Sequence, residues 1–394
     1  MRYFGGIDVA KDVHWICVVD ENARVLIDKA LPNTQDDIDA VCEELRAVDG
    51  ELVIGLDVMG SVATFLEAAL IAAGFKLVHV PGIAVNRARV GFTSGETKSD
   101  PRDARVIAEQ VRTRDNLRVV AFDDEVTIAI RVLIGRRRDL VQDQTRRIAR
   151  LRRLVGSIHP GLEKALDFRA LGPLHLLTKF VAAGEIRSAG QEGLIGHLRA
   201  RPGVRNAKGL AEAALKAAQA QHTAVPGEAA MAEMARELAS EALAVKERLA
   251  RLDDQLGELL DRHPDAALIR SLPGMGVILT AEFIATAGNI ARFRSADAMA
   301  AAAGLAPVLR QSGHSRTWRR TFGGDKSLKR VFFQSAFCAC STGDPISKAF
   351  YDRKRREGKH HTQALIALAR RRVTVLWTML KNRSEFDPDR AMAA

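Results

Sequence analysis

Four aspartates near the N-terminus occupy positions from which side chains can converge. Asp8 closes a short apolar run in Gly6-Ile7-Asp8-Val9-Ala10-Lys11, and Asp57 closes another in Ile54-Gly55-Leu56-Asp57. If the two runs are neighbouring strands of one sheet, both carboxylates project from the same edge. A third group comes from Lys98-Ser99-Asp100-Pro101-Arg102-Asp103-Ala104-Arg105, where Pro101 suits the first turn of a helix. Asp100 and Asp103, three residues apart, then share one side of that helix start. Four carboxylates in one place repel one another by on the order of several kcal/mol unless cations neutralise them. Aspartate offers only oxygen, which favours Mg2+ or Mn2+ over zinc. Two such ions about 3.5–4 Å apart stabilise the attacking and leaving oxygens of an in-line phosphoryl transfer. Plainer readings stand beside this one: Asp100 before Pro101 is an ordinary N-cap, and Asp8 can simply begin a turn.

Two further segments have the residue types for phosphate chemistry. In Arg310-Gln311-Ser312-Gly313-His314-Ser315-Arg316-Thr317-Trp318-Arg319-Arg320 a serine next to a glycine sits among arginines and a histidine. A serine hydroxyl attacks only when something takes its proton and something neutralises the phosphate, effects that metal ions and arginines supply. By residue type alone Ser312 reads as a loop residue touching phosphate rather than as a nucleophile, with Arg310, Arg316, Arg319 and Arg320 around it. In Ser271-Leu272-Pro273-Gly274-Met275-Gly276-Val277 a turn with two glycines leads into an apolar helix, the pattern of a helix-hairpin-helix. The N–H groups of Gly274 and Gly276 can hold a DNA phosphate at the helix start; a plain glycine turn between packed helices is the alternative.

The elements that must position these groups are legible in part. Apolar runs at 3–9, 14–20 and 24–31, joined by short polar turns, predict an antiparallel meander. Asn33-Thr34 then caps a helix with Asp36 and Asp37 in its first turn, and strand, helix and strand follow at 52–58, 61–73 and 76–80. That order fits the ribonuclease-H-like arrangement, one of several compatible α/β topologies. A long helix is predicted from Val126 to about Ile158 and another from Gly227 to His263. The second has a leucine-rich seam through Leu238, Leu243, Val245, Leu249, Leu252, Leu256, Leu259 and Leu260 that suits a coiled coil or helical hairpin. The fold class is therefore α/β plus α. Residues 1–125 form the ribonuclease-H-like domain and 126–264 a helical arm, basic at its start. Residues 265–385 form a mainly helical C-terminal domain, and 386–394 a tail.

Length and composition bound the alternatives. The 394 residues, 47% apolar and 27% charged, suit a multi-domain globular chain and exclude wholesale disorder. The net charge of +11 is segregated. Segments 126–156, 309–330 and 348–372 together carry +20 and leave −9 for the rest. Basic stripes on an acidic body point to nucleic acid, with Arg136, Arg137, Arg146, Arg147 and Arg150 the candidate contacts on the first long helix. Cys17, Cys42, Cys338 and Cys340 form no Cys-x-x-Cys pair, which favours reduced, packed thiols. No apolar stretch is long enough to span a bilayer and the start lacks a signal peptide, so a cytoplasmic protein without a membrane partner is expected.

The motifs at 6–11, 98–105, 272–276 and 304–313, the last running from Gly304-Leu305-Ala306-Pro307 to Gln311-Ser312-Gly313, resemble in order and spacing the DEDD-type insertion-sequence transposases of the IS110 family. The resemblance implies a RuvC-like N-terminal nuclease domain, a coiled-coil arm and a C-terminal transposase domain. It implies that Asp8, Asp57, Asp100 and Asp103 are the metal-binding acids and Ser312 a nucleophile that links covalently to a DNA phosphate. It also implies a structured non-coding bridge RNA that pairs with donor and target DNA, a tetramer built as a dimer of dimers, and work at the prokaryotic nucleoid. The family usually has Glu at the second acidic position. Asp57 is one methylene shorter, with Glu67 as the fallback. Two other readings stand beside this one: a RuvC-type junction nuclease that uses metal and water, and an architectural ribonucleoprotein subunit.

Overall fold

The computed structural model describes residues 1–92, 99–120, 123–313, 315–319, 321 and 323–389. Lys98, His314 and Arg320 lie outside the described residues. The chain divides into two compact units, 1–122 and 123–394.

The first unit is built on a six-stranded sheet. Strands β1 (Arg2–Asp8), β2 (Val13–Asp20) and β3 (Val25–Pro32) form the expected meander, and helix α1 (Gln35–Arg46) follows. Thr34 Oγ accepts from the Asp37 N–H and stops α1 from unwinding. Then come β4 (Glu51–Leu56), α2 (Thr64–Ala72), β5 (Lys76–His79), α3 (Gly82–Phe92), α4 (Asp100–Thr113) and the two-residue strand β6 (Arg118–Val119). The strand order is β3-β2-β1-β4-β5-β6, with β1, β4 and β5 parallel and the others antiparallel to their neighbours. This is the ribonuclease-H-like sheet. The short β6, too brief to leave a periodic signal, extends its edge.

The two faces of the sheet are packed differently. On one face Ile38, Val41, Cys42 and Leu45 of α1 and Leu66 and Leu70 of α2 bury against Ile7, Ile16 and Ile54. On the other, α4 lies almost on the backbone. Gly6 and Gly55 are register partners on β1 and β4. A Cβ on Gly6 would fall 2.2 Å from the Ala104 carbonyl oxygen, and one on Gly55 would fall 2.4 Å from Val111. The two glycines thus form a shelf on which α4 rests, and Ala104 and Ala108, both buried, keep the helix side of the contact equally thin.

The second unit is helical apart from one hairpin. Helix α5 (Glu125–Ile158) is followed by α6 (Pro160–Ala165), α7 (Leu171–Leu177), α8 (Ala183–Arg199) and α9 (Ala207–Gln219), and then by the long α10 (Glu228–Asp261). The expected leucine seam of α10 is corrected in its first half. There Ala232, Ala235, Ala239 and Ala242 are the buried residues, whereas Leu238 and Leu243 are only half-buried. Alanine at three- and four-residue spacing lets the helix approach its neighbours closely; Val245, Leu256 and Leu260 continue the buried row. Next come α11 (Ala266–Ser271), α12 (Val277–Ala287), α13 (Ala296–Ala302), the hairpin β7 (Val308–Ser312) and β8 (Ser315–Arg319), α14 (Lys326–Ser341), α15 (Pro345–Arg356) and α16 (His361–Asn382). Ile130, Ile134, Leu256 and Leu260 join the core of α11–α16, while 148–242 build a core of their own. The two long helices are therefore anchored at one end in the C-terminal core and carry a separate helical head at the other. No helix among the described residues is long and apolar enough to cross a membrane.

Candidate active site and nucleic-acid interface

The shelf under α4 sets the acidic edge. Side chains alternate along a strand, so Asp8, two residues after Gly6, and Asp57, two after Gly55, emerge on the face that α4 covers. The parallel register pairs Ile7 with Leu56 and carries the two acids side by side, Asp57 one residue past the end of β4. The Val9 N–H donates to Asp57 Oδ1 at 3.5 Å. Burial pushes the Asp57 carboxyl above the usual range; the neighbouring Asp103 pushes the same way, against backbone N–H groups that include Val9. Asp103, immediately before the Ala104 that touches Gly6, is buried in the first turn of α4. Asp100, at the start of that helix, is exposed.

Two residues that the sequence did not single out complete this edge. Arg89 of α3 donates from Nη2 to Asp103 Oδ2 at 2.7 Å. Its Nε stands 2.7 Å from Oδ1 without the alignment of a hydrogen bond. His79 ends β5 opposite Leu56, and burial holds its imidazole below the ordinary value although Asp57 favours the charged form. Its signal was available: it is the last residue of the third parallel strand, at the edge where Asp8 and Asp57 lie. Glu67, the fallback acid, is buried on α2 and accepts from the Gly60 N–H at 2.9 Å, which pins the loop after Asp57. Among the described residues no three acids, histidines or cysteines stand close enough to hold an ion together. The donor set is nonetheless all oxygen, the chemistry a hard divalent cation takes, and Arg89 already engages both oxygens of Asp103.

Ser312 ends β7 and faces Ser315 across the turn of the hairpin, where Gly313 takes a left-handed backbone with φ 55°. The register puts Ser312, Ser315 and Thr317 on one face and Leu309, Gln311, Arg316 and Trp318 on the other. Ser312, Ser315, Arg316 and Arg319 are exposed, as is Trp318 at 67%. The hairpin therefore offers hydroxyls on one side and an unburied aromatic on the other. Only the backbone of Arg310 is described.

The glycine turn is more a packing device than the sequence suggested. Gly274 has φ 81°, and a Cβ there would meet the Ser335 carbonyl oxygen at 2.5 Å and the Ala339 nitrogen at 2.8 Å. The preceding Pro273 carbonyl accepts from Arg372, whose buried guanidinium also donates to Ser335 Oγ and Ser347 Oγ. Burial pulls the Arg372 pKa down to about 10, so this arginine of the basic run 348–372 serves the core. Gly276, by contrast, is exposed at the start of α12 with open space around it.

The arginines of α5 divide in the same way. Arg137 donates to Asp253 at 2.6 Å and Arg147 to Glu241 at 2.8 Å, which ties α5 to α10. Arg136, Arg146 and Arg150 are exposed, Arg146 beside Asp143 one turn earlier.

Comparison with known proteins bears on both units. A family model described as "Transposase" and labelled DEDD_Tnp_IS110 matches residues 5–160, and one described as "Transposase IS116/IS110/IS902 family" matches 266–352. The 42 kDa protein of insertion element IS900 from Mycobacterium paratuberculosis is 40% identical over 99% of this chain and 98% of its own. The 44.8 kDa protein of IS116 from Streptomyces clavuligerus is 38% identical over 98% and 96%. The mini-circle putative transposase for IS117 from Streptomyces coelicolor is 25% identical over 100% and 97%. Among solved structures, T. thermophilus RuvC in complex with a Holliday junction substrate aligns with 30% of this chain and 100% of its own, at 14% identity and a TM-score of 0.25.

Proposed function

The chain belongs to the IS116/IS110/IS902 family of transposases, and from that premise we propose that it is an RNA-guided recombinase with a carboxylate-held metal site and a serine nucleophile. Transposases cut and transfer DNA strands; the finer claims are which residues do so and with what help. The observation that supports the metal site is the glycine shelf, which brings Asp8, Asp57 and the first turn of α4 to one sheet edge.

Asp8, Asp57, Asp100 and Asp103 would hold Mg2+ or Mn2+, with Asp57 in place of the family's Glu. A bound divalent ion supplies charge neutralisation at a phosphate and lowers the pKa of a coordinated hydroxyl. Ser312 Oγ attacks phosphorus, the bond to the 3′ oxygen breaks, and the serine proton ends on that departing oxygen. A 3′-hydroxyl of the partner strand then attacks the phosphoserine and releases Ser312. Each step exchanges one phosphoester for another, so no ATP is consumed. Arg319, on the same hairpin face as Ser312, would sit beside the attacked phosphate, with Arg310, Arg316 and Arg320 as further candidate contacts, and the exposed Arg136, Arg146 and Arg150, with the N–H of Gly276, along nucleic-acid backbones. The helical head and the paired α5 and α10 suit a spacer that separates protomers in a dimer of dimers. The guide is a structured non-coding RNA, and the setting is the prokaryotic cytoplasm at the nucleoid.

Ser312→Ala is the discriminating variant. Recombination and the covalent protein–DNA adduct should vanish; persistent metal-dependent nicking without an adduct would instead favour the junction nuclease. Asp8→Asn should abolish both activities, and full activity in that variant would leave Asp8 a structural residue outside the catalytic site. Sequencing the RNA that copurifies from cells carrying the flanking DNA tests the guide, and a random RNA population would remove it.

A further inference from the structure

A cavity of about 680 Å³ opens at the base of the serine hairpin. Its wall includes Gly304–Pro307, which lead into β7, and Thr321, which follows β8, so both ends of the hairpin leave from its rim. That base is fixed. Gly304 and Gly324, with φ 61° and 95°, press together so closely that a Cβ on Gly324 would lie 2.5 Å from the Gly304 nitrogen. The Asp325 N–H also donates to the Ala302 carbonyl at 2.7 Å. The floor is apolar, formed by Leu305, Ile366 and Ala367, and the rim carries Lys329, Lys359 and Arg370. Arg370 is paired with Asp297, whereas Lys329 and Lys359, both half-buried, form no salt bridge within 4 Å among the described residues, Lys359 acting on Glu357 only at longer range.

We propose that this cavity binds a single unstacked nucleotide of a DNA strand, its base on the apolar floor and its phosphates against Lys329 and Lys359. The volume lies within the roughly 300–1,000 Å³ range of small-ligand sites. An apolar floor under a cationic rim matches the two halves of a nucleotide, as in sites that take a base out of its stack. Cationic side chains gathered around an apolar cavity favour an anionic partner over a neutral one. Ser312 lies five positions after Pro307, a reach of about 17 Å at ~3.3 Å per residue. A DNA strand rises ~3.4 Å per nucleotide, so the bound base would lie within about five positions of the phosphate that Ser312 meets. The site rests on the reading of Ser312 as the attacking group only for what it neighbours.

The test uses the full chain and a single-stranded deoxyhexamer with a central 2-aminopurine, read by anisotropy and by emission. Binding to the wild type should raise the emission as the probe leaves its stack. Ala367→Trp, which fills the cavity, should abolish the rise and weaken binding at least five-fold. Lys329→Ala with Lys359→Ala should weaken it about ten-fold and reduce the salt slope by about 1.4. Circular dichroism identifies any variant that fails to fold, and the half-buried lysine pair keeps the test open if Ala367→Trp does so. An unchanged emission rise in a folded Ala367→Trp protein, or no rise in the wild type, overturns the site. A rise with the ribohexamer alone overturns the assignment to DNA. Covalent capture of DNA by the wild type reports separately on Ser312: capture without the rise sinks the cavity alone, and the rise without capture sinks the serine alone.

Discussion

Asp103 is buried and its nearest counter-charge is the guanidinium of Arg89, at 2.7 Å. A buried carboxylate must have such a partner, because removing one member of a buried pair typically costs about 3–5 kcal/mol. If Asp103 also holds a divalent ion, the arginine and the ion compete for one carboxylate. Arg89→Met should therefore lower the melting temperature in the absence of Mg2+, and millimolar Mg2+ should restore it by more than it shifts the wild type. Equal shifts in differential scanning fluorimetry would remove Asp103 from the ion site. Asp57 and His79 show the same desolvation from opposite sides, the acid pushed up and the imidazole held down. Burial at this edge disfavours the charged form of both groups, and a counter-charge would favour it.

Among the elements, α4 is the piece on which the acidic edge depends, and it is held by what the strands lack. A methyl group on Gly6 would overlap the backbone of α4 at both Ala104 and Ala108. No rotamer relieves a clash with backbone, so the helix must lift. Gly6→Ala should cost about 3 kcal/mol or more and abolish strand transfer with Asp8 and Asp103 intact. Gly60→Ala, in open space at φ 67°, should cost only ~1 kcal/mol. Thermal unfolding and a strand-transfer assay on the two variants separate them. Helix α5 has a different dependence. Asp124 is its N-cap; although burial acts against the charge, hydrogen bonds from Thr127 Oγ1 and N–H hold the carboxyl below its ordinary value. A depressed acid stabilises the fold above its unfolded pKa and loses that contribution as the pH falls through the folded value. Asp124→Ala should thus cost about 1 kcal/mol at pH 7 and progressively less as the pH falls below the ordinary carboxylate range, in urea melts across a pH series.

For the whole molecule the net charge matters less than where unpaired cations are left. Arg137, Arg147 and Arg372 are consumed by Asp253, Glu241 and the buried serines, which removes them from the surface that a polyanion meets. Arg136 and Arg150 remain exposed. Replacing both with alanine should lower duplex DNA affinity at all sequences and reduce the slope of log K against log salt by about 2. Replacing Arg137 should change the slope little and destabilise the α5–α10 pair instead. Filter binding across a salt series distinguishes the two, and an unchanged slope in the first variant would take α5 out of the nucleic-acid interface.

The sequence by itself determined what periodicity and punctuation encode. The meander, the capped α1, the helix start at Asp100-Pro101 and the two long helices all follow from local pattern, because their caps and apolar spacing act within a few residues. Asp8 and Asp57 were legible as strand-end acids for the same reason. Their face was also written in the chain, as a glycine two residues before each, but nothing local says that one helix rests on both glycines. Only the tertiary structure decided that Arg89 and His79 border the acids, that Gly274 is spent on packing against α14, and which arginines are neutralised. Those outcomes depend on pairs of residues separated by long stretches of chain, whose meeting is fixed by close packing and by the cost of burying an uncompensated charge.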